Sequence, residues 1–312
     1  MANFIGDDID FAAYMDLTDH DHAVRPSGEY AQDVIDYFWS EKIERGDQTP
    51  WENTIGKLAF RPGEVTLWAG YNGHGKSLAL GQCAVGFVQQ AKRTCVASME
   101  MKPVITLARM CRQACGSNKP SVDFIGEFHK LTDKYIWMYD QQGMVNADKM
   151  IAVMRYARES KKVDHFVLDS LLKCGIAEDD YTAQKLFVDR ICTVARDTGL
   201  HVHLVAHSRK GKDENNPPGK MDVKGSGSIT DQVDNVITWW RNKAKEEALR
   251  TTRDGKRMEE LKVEPDAVLV CDKQRNGEWE GKIGFWFDPA SLQFVESSNG
   301  MPIDMLAPRF DQ

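Results

Sequence analysis

The stretch Val65-Thr-Leu-Trp-Ala-Gly70-Tyr-Asn-Gly-His-Gly75-Lys76-Ser77 decides the fold. Its first five residues read as a short buried strand, and residues 70–77 fit G-x-x-x-x-G-K-[ST]. The stretch 77–90 reads as the helix that follows. Glycines let successive backbone N–H groups turn inward around phosphate oxygens, and a helix N-terminus adds the positive end of its dipole. Gly70, Tyr71, Asn72, Gly73, His74, Gly75, Lys76, Ser77 and Leu78 are therefore read as a phosphate-binding turn. Lys76 would reach the β- and γ-phosphates, and the Ser77 hydroxyl would complete the coordination of Mg²⁺. The sequence predicts binding of a nucleoside triphosphate: ATP, or another NTP or dNTP.

Working outward, strands are predicted at 94–97, 135–139, 163–168 and 201–206, with helices at 104–114, 147–159 and 183–197. Strands interleaved with helices imply an α/β fold with a mostly parallel central sheet covered on both faces. Beyond residue 235, runs at 236–240, 267–271 and 283–287 come without helices, which predicts an antiparallel C-terminal extension. The charge-dense stretch 243–264 reads as a solvated insertion. Upstream, residues 30–43 place Val34, Ile35, Phe38 and Trp39 at helical spacing, an amphipathic helix closed by Gly46, Asp47 and Pro50. The chain thus divides into a flexible acidic arm (1–28), a linker helix (29–50) and an ATPase domain (51–312).

The 312 residues carry 47 acids and 40 bases, a net charge of -7 that would ordinarily argue against a nucleic-acid partner. The charge is uneven, however. Residues 1–24 hold six acids and no Lys or Arg, which leaves 41 acids against 40 bases in the body. No run of eighteen apolar residues predicts a membrane span, and the first residues lack the basic start and apolar stretch of a signal peptide. Seven cysteines without paired metal-ligand spacing read as buried thiols in a reducing, cytoplasmic setting. Cys111 and Cys115 share a helix face, but no second pair accompanies them.

Hydrolysis chemistry needs more than a phosphate cradle. His165-Phe-Val-Leu-Asp169 is an apolar strand ending in an acid, the placement that holds Mg²⁺ beside a P-loop. Ser170 and Leu171 follow, so no acid sits next to Asp169 to activate a water. Glu100, at the end of the apolar run Ala97-Ser-Met-Glu-Met101, is the candidate for that work; read from the residues alone, it is equally a solvated strand end.

These motifs resemble those of the DnaB-type replicative helicases, including the helicase halves of phage primase-helicases and Twinkle. The resemblance covers about residues 58–294. Its landmarks are Arg61-Pro-Gly-Glu64, the P-loop, Ser98-Met-Glu-Met101, the strand ending in Asp169, and Lys273-Gln-Arg-Asn-Gly277. It implies a RecA-like core, a hexameric ring around single-stranded DNA, and translocation driven by nucleotide hydrolysis. It also implies that Glu100 is the catalytic base and that Arg275 is a finger reaching the neighbouring subunit's nucleotide, assisted by Lys273. His207, ending His203-Leu-Val-Ala-His207, looks like the phosphate-sensing His of phage members, whereas His203 reads as structural. Lys224-Gly-Ser-Gly-Ser-Ile229 resembles the family's G-S-G segment but departs from it. Asp231 stands where Gln is usual, and Gln232 follows one residue later.

The loop 208–224 is long for a compact domain and carries five bases, Arg209, Lys210, Lys212, Lys220 and Lys224, against three acids. Six copies converging on one channel would sum their fields, a surface suited to DNA backbone without sequence preference. The leading expectation is a phage-type hexameric helicase lacking its own primase domain and served by a separate primase or loader. Its rival is a RecA- or KaiC-like ATPase that binds DNA or protein and separates no strands.

Overall fold

The computed structural model describes residues 3–5, 26–39, 46–209, 214–224 and 227–306. Its centre is a sheet of ten strands in the order β1-β4-β3-β5-β6-β2-β7-β8-β9-β10. The strands are β1 (Asn3–Ile5), β2 (Val65–Ala69), β3 (Thr94–Ser98), β4 (Ile136–Tyr139), β5 (His165–Asp169), β6 (His201–Val205), β7 (Asn235–Arg241), β8 (Ala267–Gln274), β9 (Gly281–Asp288) and β10 (Gln293–Val295). From β1 to β7 in the sheet order every pairing is parallel; β7–β8, β8–β9 and β9–β10 are antiparallel. The strands β2, β3, β5 and β6 are buried at every residue. Such burial follows from two covered faces and explains their nearly continuous apolar runs.

Helices α5 (Ala147–Lys161) and α6 (Tyr181–Thr198) bury one face, where Met150, Met154, Phe187 and Ile191 meet Leu67, Phe166 and Leu204. On the other face α2 (Lys76–Gln89), α3 (Pro103–Cys115) and α4 (Val122–Thr132) set Phe87, Met110 and Phe128 into one apolar cluster with Trp68, Met138 and Trp239. Alternation along β2 divides its side chains between the two clusters, Leu67 to one and Trp68 to the other.

The structure corrects several sequence expectations. The run at 236–240 belongs to β7, which lies parallel to β2, so the antiparallel part begins one strand later, at β8. An apolar run reads the same in either direction; here the short helix α7 (Gly227–Gln232) carries the chain back before β7. The charge-dense stretch folds as α8 (Lys243–Thr251) and α9 (Gly255–Val263). Asn242 and Asp254 side chains accept N-terminal N–H groups of these helices. Most of the stretch is exposed, yet Lys245 is buried with its ammonium 2.6 Å from Asp266, and Leu261 is buried too. Helix α4, capped by Ser121, and the edge strand β10 are additions to the elements expected from the sequence.

Within the acidic arm, residues 3–5 form β1 on the sheet edge; the rest of the arm lies outside the described residues. The linker helix appears as α1 (Ala31–Trp39), preceded by a 3₁₀ turn at Ser27–Tyr30. Phe38 and Trp39 on it are 68% and 83% exposed, and Val34 and Ile35 are exposed as well. Residues 40–43 of that helix lie outside the described residues. Residues 46–50, read with the helix, are tied to the ATPase body: Asp47 bridges to Phe60, and the Gln48 N–H donates to Gln90.

Asp47 also ends a hydrogen-bond chain through three buried histidines. The Trp68 indole donates to His203 Nδ1 (3.2 Å), which places the His203 proton on Nε2 facing His165 Nδ1 (3.2 Å). His165 Nε2 then donates to Asp47 Oδ2 at 2.9 Å. His201 Nδ1 donates to the Arg61 carbonyl (2.6 Å), and its Nε2 accepts from Thr66. His165 stacks on Phe87 with ring centroids 3.9 Å apart. All three rings are neutral in this arrangement. Burial holds His165 below the usual range against the pull of Asp47, pushes His201 to about 3 and keeps His203 well down.

Because the folded pKa values are depressed, the unfolded chain takes up protons first as pH falls below about 6.5. Stability should be complete above that pH and fall by up to about 4 kcal/mol per pH unit below it, the limit for three histidines. Urea melts at pH 7.0 and 5.5 measure this. Equal stability at both would contradict the neutral network.

Candidate functional site

The carboxyl ends of β2, β3, β5 and β6 converge on one cavity of about 440 Å³. Asn72, Gly73, Gly75, Lys76, Ser77 and Leu78 line it from the P-loop, with Glu100, Arg109, Asp169 and His207 from neighbouring elements. The local sequence dictates this shape. Gly70 takes φ of +148°, and a Cβ there would sit 2.2 Å from the Trp239 carbonyl oxygen. Gly75, at φ +94°, immediately precedes α2 in the left-handed region that favours glycine. The turn therefore closes tightly over β7 and delivers the first N–H groups of α2 into the cavity.

Lys76 Nζ donates to the carbonyls of Gly70 (2.8 Å) and Tyr71 (3.0 Å) and stands 3.5 Å from His207 Nδ1. Burial lowers its pKa to about 8, against the opposing pull of Asp169 and Glu100. His207 is pushed down to about 4, first by burial and then by the Lys76 charge, so it is a neutral ring at pH 7. The Ser77 hydroxyl donates to Asp169 Oδ2 at 2.5 Å. Burial raises the Asp169 carboxyl, with the Ser77 hydrogen bond opposing. A hydroxyl and a buried carboxylate on the cavity wall are oxygen donors that suit a hard divalent cation. The backbone N–H of Met99 donates to the Asp169 carbonyl, which locks the ends of β3 and β5 together and leaves Glu100 exposed at the cavity. The residues thus fit a magnesium–triphosphate: a pair of cation ligands, an ammonium, N-terminal amides, and an acid placed where water can enter.

A second cavity of about 260 Å³ shares Gly73, Gly75 and Leu78 with the first. Phe287, Pro289 and Phe294 supply apolar walls, and Arg241 and Glu246 form an ion pair at its edge. A flat aromatic group joined to a phosphate chain fits such a place. Sequence reasoning misses both Arg109 and this cavity. Arg109 lies on α3, the helix that starts three residues after Glu100, and an arginine between Leu107 and Met110 is the available signal. Its Nη1 sits 2.9 Å from Met101 Sδ.

A match to the AAA-domain family model spans residues 41–213, more than half of the chain. The chain belongs to the AAA-domain family. Among curated proteins, the DNA helicase/primase of Enterobacteria phage T3 is 26% identical over 208 residues, 59% of this chain and 36% of that protein. The AAA-domain chain therefore corresponds to about a third of that relative's length. Among solved structures, one described as a separate ATPase domain superposes with a TM-score of 0.67 at 16% identity, covering 87% of this chain and 99% of that one. A DnaB-like replicative helicase, described with its interactions with primase, gives 0.67 at 14% identity over 87% of this chain and 67% of its own. The RecA-like fold of DnaB-type helicase ATPase domains is thereby that of this chain.

Two sequence-selected residues lie elsewhere in this AAA domain. Arg275, just past β8, has Nη1 3.0 Å from Asp234 and Nη2 3.3–3.4 Å from the carbonyls of Asp231 and Gln232. Lys273 Nζ donates to the carbonyls of Thr230, Asp231 and Val233 at 2.7–3.0 Å. Neither lines the cavity of its own chain.

The loop after β6 has a short paired stem. Ser208 bridges to Val223, and the Lys224 N–H donates to the His207 carbonyl. Arg209 is exposed, Lys220 begins a 3₁₀ turn, and Lys224 pairs with Glu178 at 2.5 Å. Lys210 and Lys212, like Gly225 and Ser226, lie outside the described residues. Glu214 turns back to the P-loop, 3.5 Å from His74 Nε2 and 2.8 Å from Lys243. No helix among the described residues is long and apolar enough to cross a membrane.

Proposed function

We propose that this chain is the motor domain of a ring-forming, nucleotide-dependent DNA helicase of phage type. The observation that carries the reading is the convergence of Lys76, Ser77, Glu100, Asp169 and His207 on one cavity while Arg275 stands outside it. A bound Mg²⁺ would draw charge from the phosphates when held by Ser77 and Asp169. Around it, Lys76 and Arg109 bind phosphate oxygens, Glu100 orients a water and accepts its proton, and neutral His207 donates to the terminal phosphate. The triphosphate is ATP or another NTP or dNTP, its base seated between Leu78 and Phe287.

The own-chain set lacks a cation on the open side of the cavity. Arg275 of an adjacent copy supplies it in trans, which makes hydrolysis depend on assembly. Six copies form the ring. The apolar face of α1 docks on the neighbouring copy, and Arg209, Lys210, Lys212, Lys220 and Lys224 from each loop 208–224 contact the backbone of single-stranded DNA. A separate primase or loader completes the system in the cytoplasm of the host. The T3 helicase/primase match and the charge of the loop support this reading.

The test is strand displacement on a forked duplex with ATP and Mg²⁺. Displacement that requires both a single-stranded tail and nucleotide is the expected result. Tight coating of single strands with no displacement would replace the helicase with a filament-forming, RecA- or KaiC-like ATPase.

A further inference from the structure

The geometry of Lys273 assigns it a place different from the one its resemblance implies. An ammonium has three N–H donors, and all three are spent on carbonyls of its own chain: Thr230 (3.0 Å), Asp231 (2.9 Å) and Val233 (2.7 Å). These carbonyls close the C-terminal end of α7, the end of a helix at which a cation is stabilising. Two residues on, Arg275 touches the carbonyls of Asp231 and Gln232, and its backbone N–H donates to the Asp234 carbonyl. One strand end, residues 273–275, therefore grips the whole exit of α7. Helix α7 is also the element on which the loop 208–224 ends. Its other flank is fixed to the P-loop strand, where Asp234 accepts from the Val65 N–H and the Asp234 N–H donates to the Val65 carbonyl.

We propose that Lys273 is a positioning residue that couples the finger strand to the DNA-facing loop of its own subunit. When Arg275 turns toward a neighbouring copy's nucleotide it leaves Asp231 and Gln232, and Lys273 keeps α7 attached so that the helix and its loop follow. Nucleotide bound in one subunit thereby alters the DNA grip of the next. This rests on the reading of Arg275 as a trans contact.

The experiment compares the affinity of the full chain for a labelled single-stranded oligonucleotide with and without a saturating, non-hydrolysable ATP analogue. In the parent protein the analogue should change DNA affinity at least about tenfold, within the usual range of allosteric coupling. Lys273→Met, which keeps length and removes all three donors, should shrink that ratio to about twofold or less. Lys273→Arg, which keeps the charge and donors, should restore most of it.

Equal ratios in parent and Lys273→Met would overturn the assignment and leave Lys273 as a trans partner of Arg275. A parent protein whose DNA affinity ignores the analogue removes the motor reading itself. Should Lys273→Met fail to fold, hydrogen exchange on the parent decides. Amides of residues 229–234 should change protection by about tenfold or more when the analogue binds the assembled protein. No change there overturns the proposal.

Discussion

Glu100→Gln should bind nucleotide within about threefold of the parent yet turn it over about 10²- to 10⁴-fold more slowly, the range for loss of a general base. The substitution changes only the proton affinity of one side chain. Glu100 is exposed at the end of β3 and makes no hydrogen bond on which the fold depends, so the cavity should keep its shape. The phosphate-binding groups, Lys76 with its two carbonyl partners and Ser77 with Asp169, remain as they are. Turnover is therefore lost without loss of binding, which equilibrium binding of a fluorescent nucleotide and steady-state phosphate release measure together. Lys76→Ala is the contrasting case. It removes the ammonium from the cavity, and both binding and turnover should fall. Unimpaired turnover in Glu100→Gln would move the water-activating role to another group.

The P-loop and the strand ending in Asp169 were legible in the sequence because their chemistry is local. Six residues of turn, one lysine and one hydroxyl must be adjacent in the chain to surround a phosphate. Glu100 and His207 were legible for a related reason, since each ends an apolar strand and parallel strands bring their carboxyl ends to one edge. The direction of β7 was not, because its apolar run specifies burial and not orientation. Helices α8 and α9 were hidden by charge: buried Lys245 depends on Asp266 from beyond both helices, which no local pattern encodes.

The same limit applies at residues 273–275. On a strand, Lys273 and Arg275 share a face and look like a solvated edge, whereas in the fold they meet the end of α7, which lies some forty residues earlier in the chain. Nor did the histidine motifs announce a relay. His165 and His203 touch only because β5 and β6 are neighbours, and the chain that ends at Asp47 joins a segment more than a hundred residues away. The net charge of -7 was the least informative feature, since the bases of the loop 208–224 are offset in the sum by acids of the N-terminal arm.

The central claim is that the hydrolytic site is shared between copies, and subunit mixing tests it most directly. Arg275 is held by Asp234 at 3.0 Å and remains half-exposed, so Arg275→Ala should leave the protomer folded. Removing a trans guanidinium should lower turnover by about 10³- to 10⁵-fold, the worth of such a finger in related phosphoryl transfers. Lys76→Ala subunits are inactive for a different reason, their own phosphate cradle, but they carry an intact Arg275. Mixed with Arg275→Ala subunits they should rebuild sites that join a sound cavity to a sound finger. Phosphate release from the equimolar mixture is predicted to rise well above the sum of the two separate proteins. A mixture no more active than that sum, with co-assembly of the two variants verified by mass, would contradict a shared site.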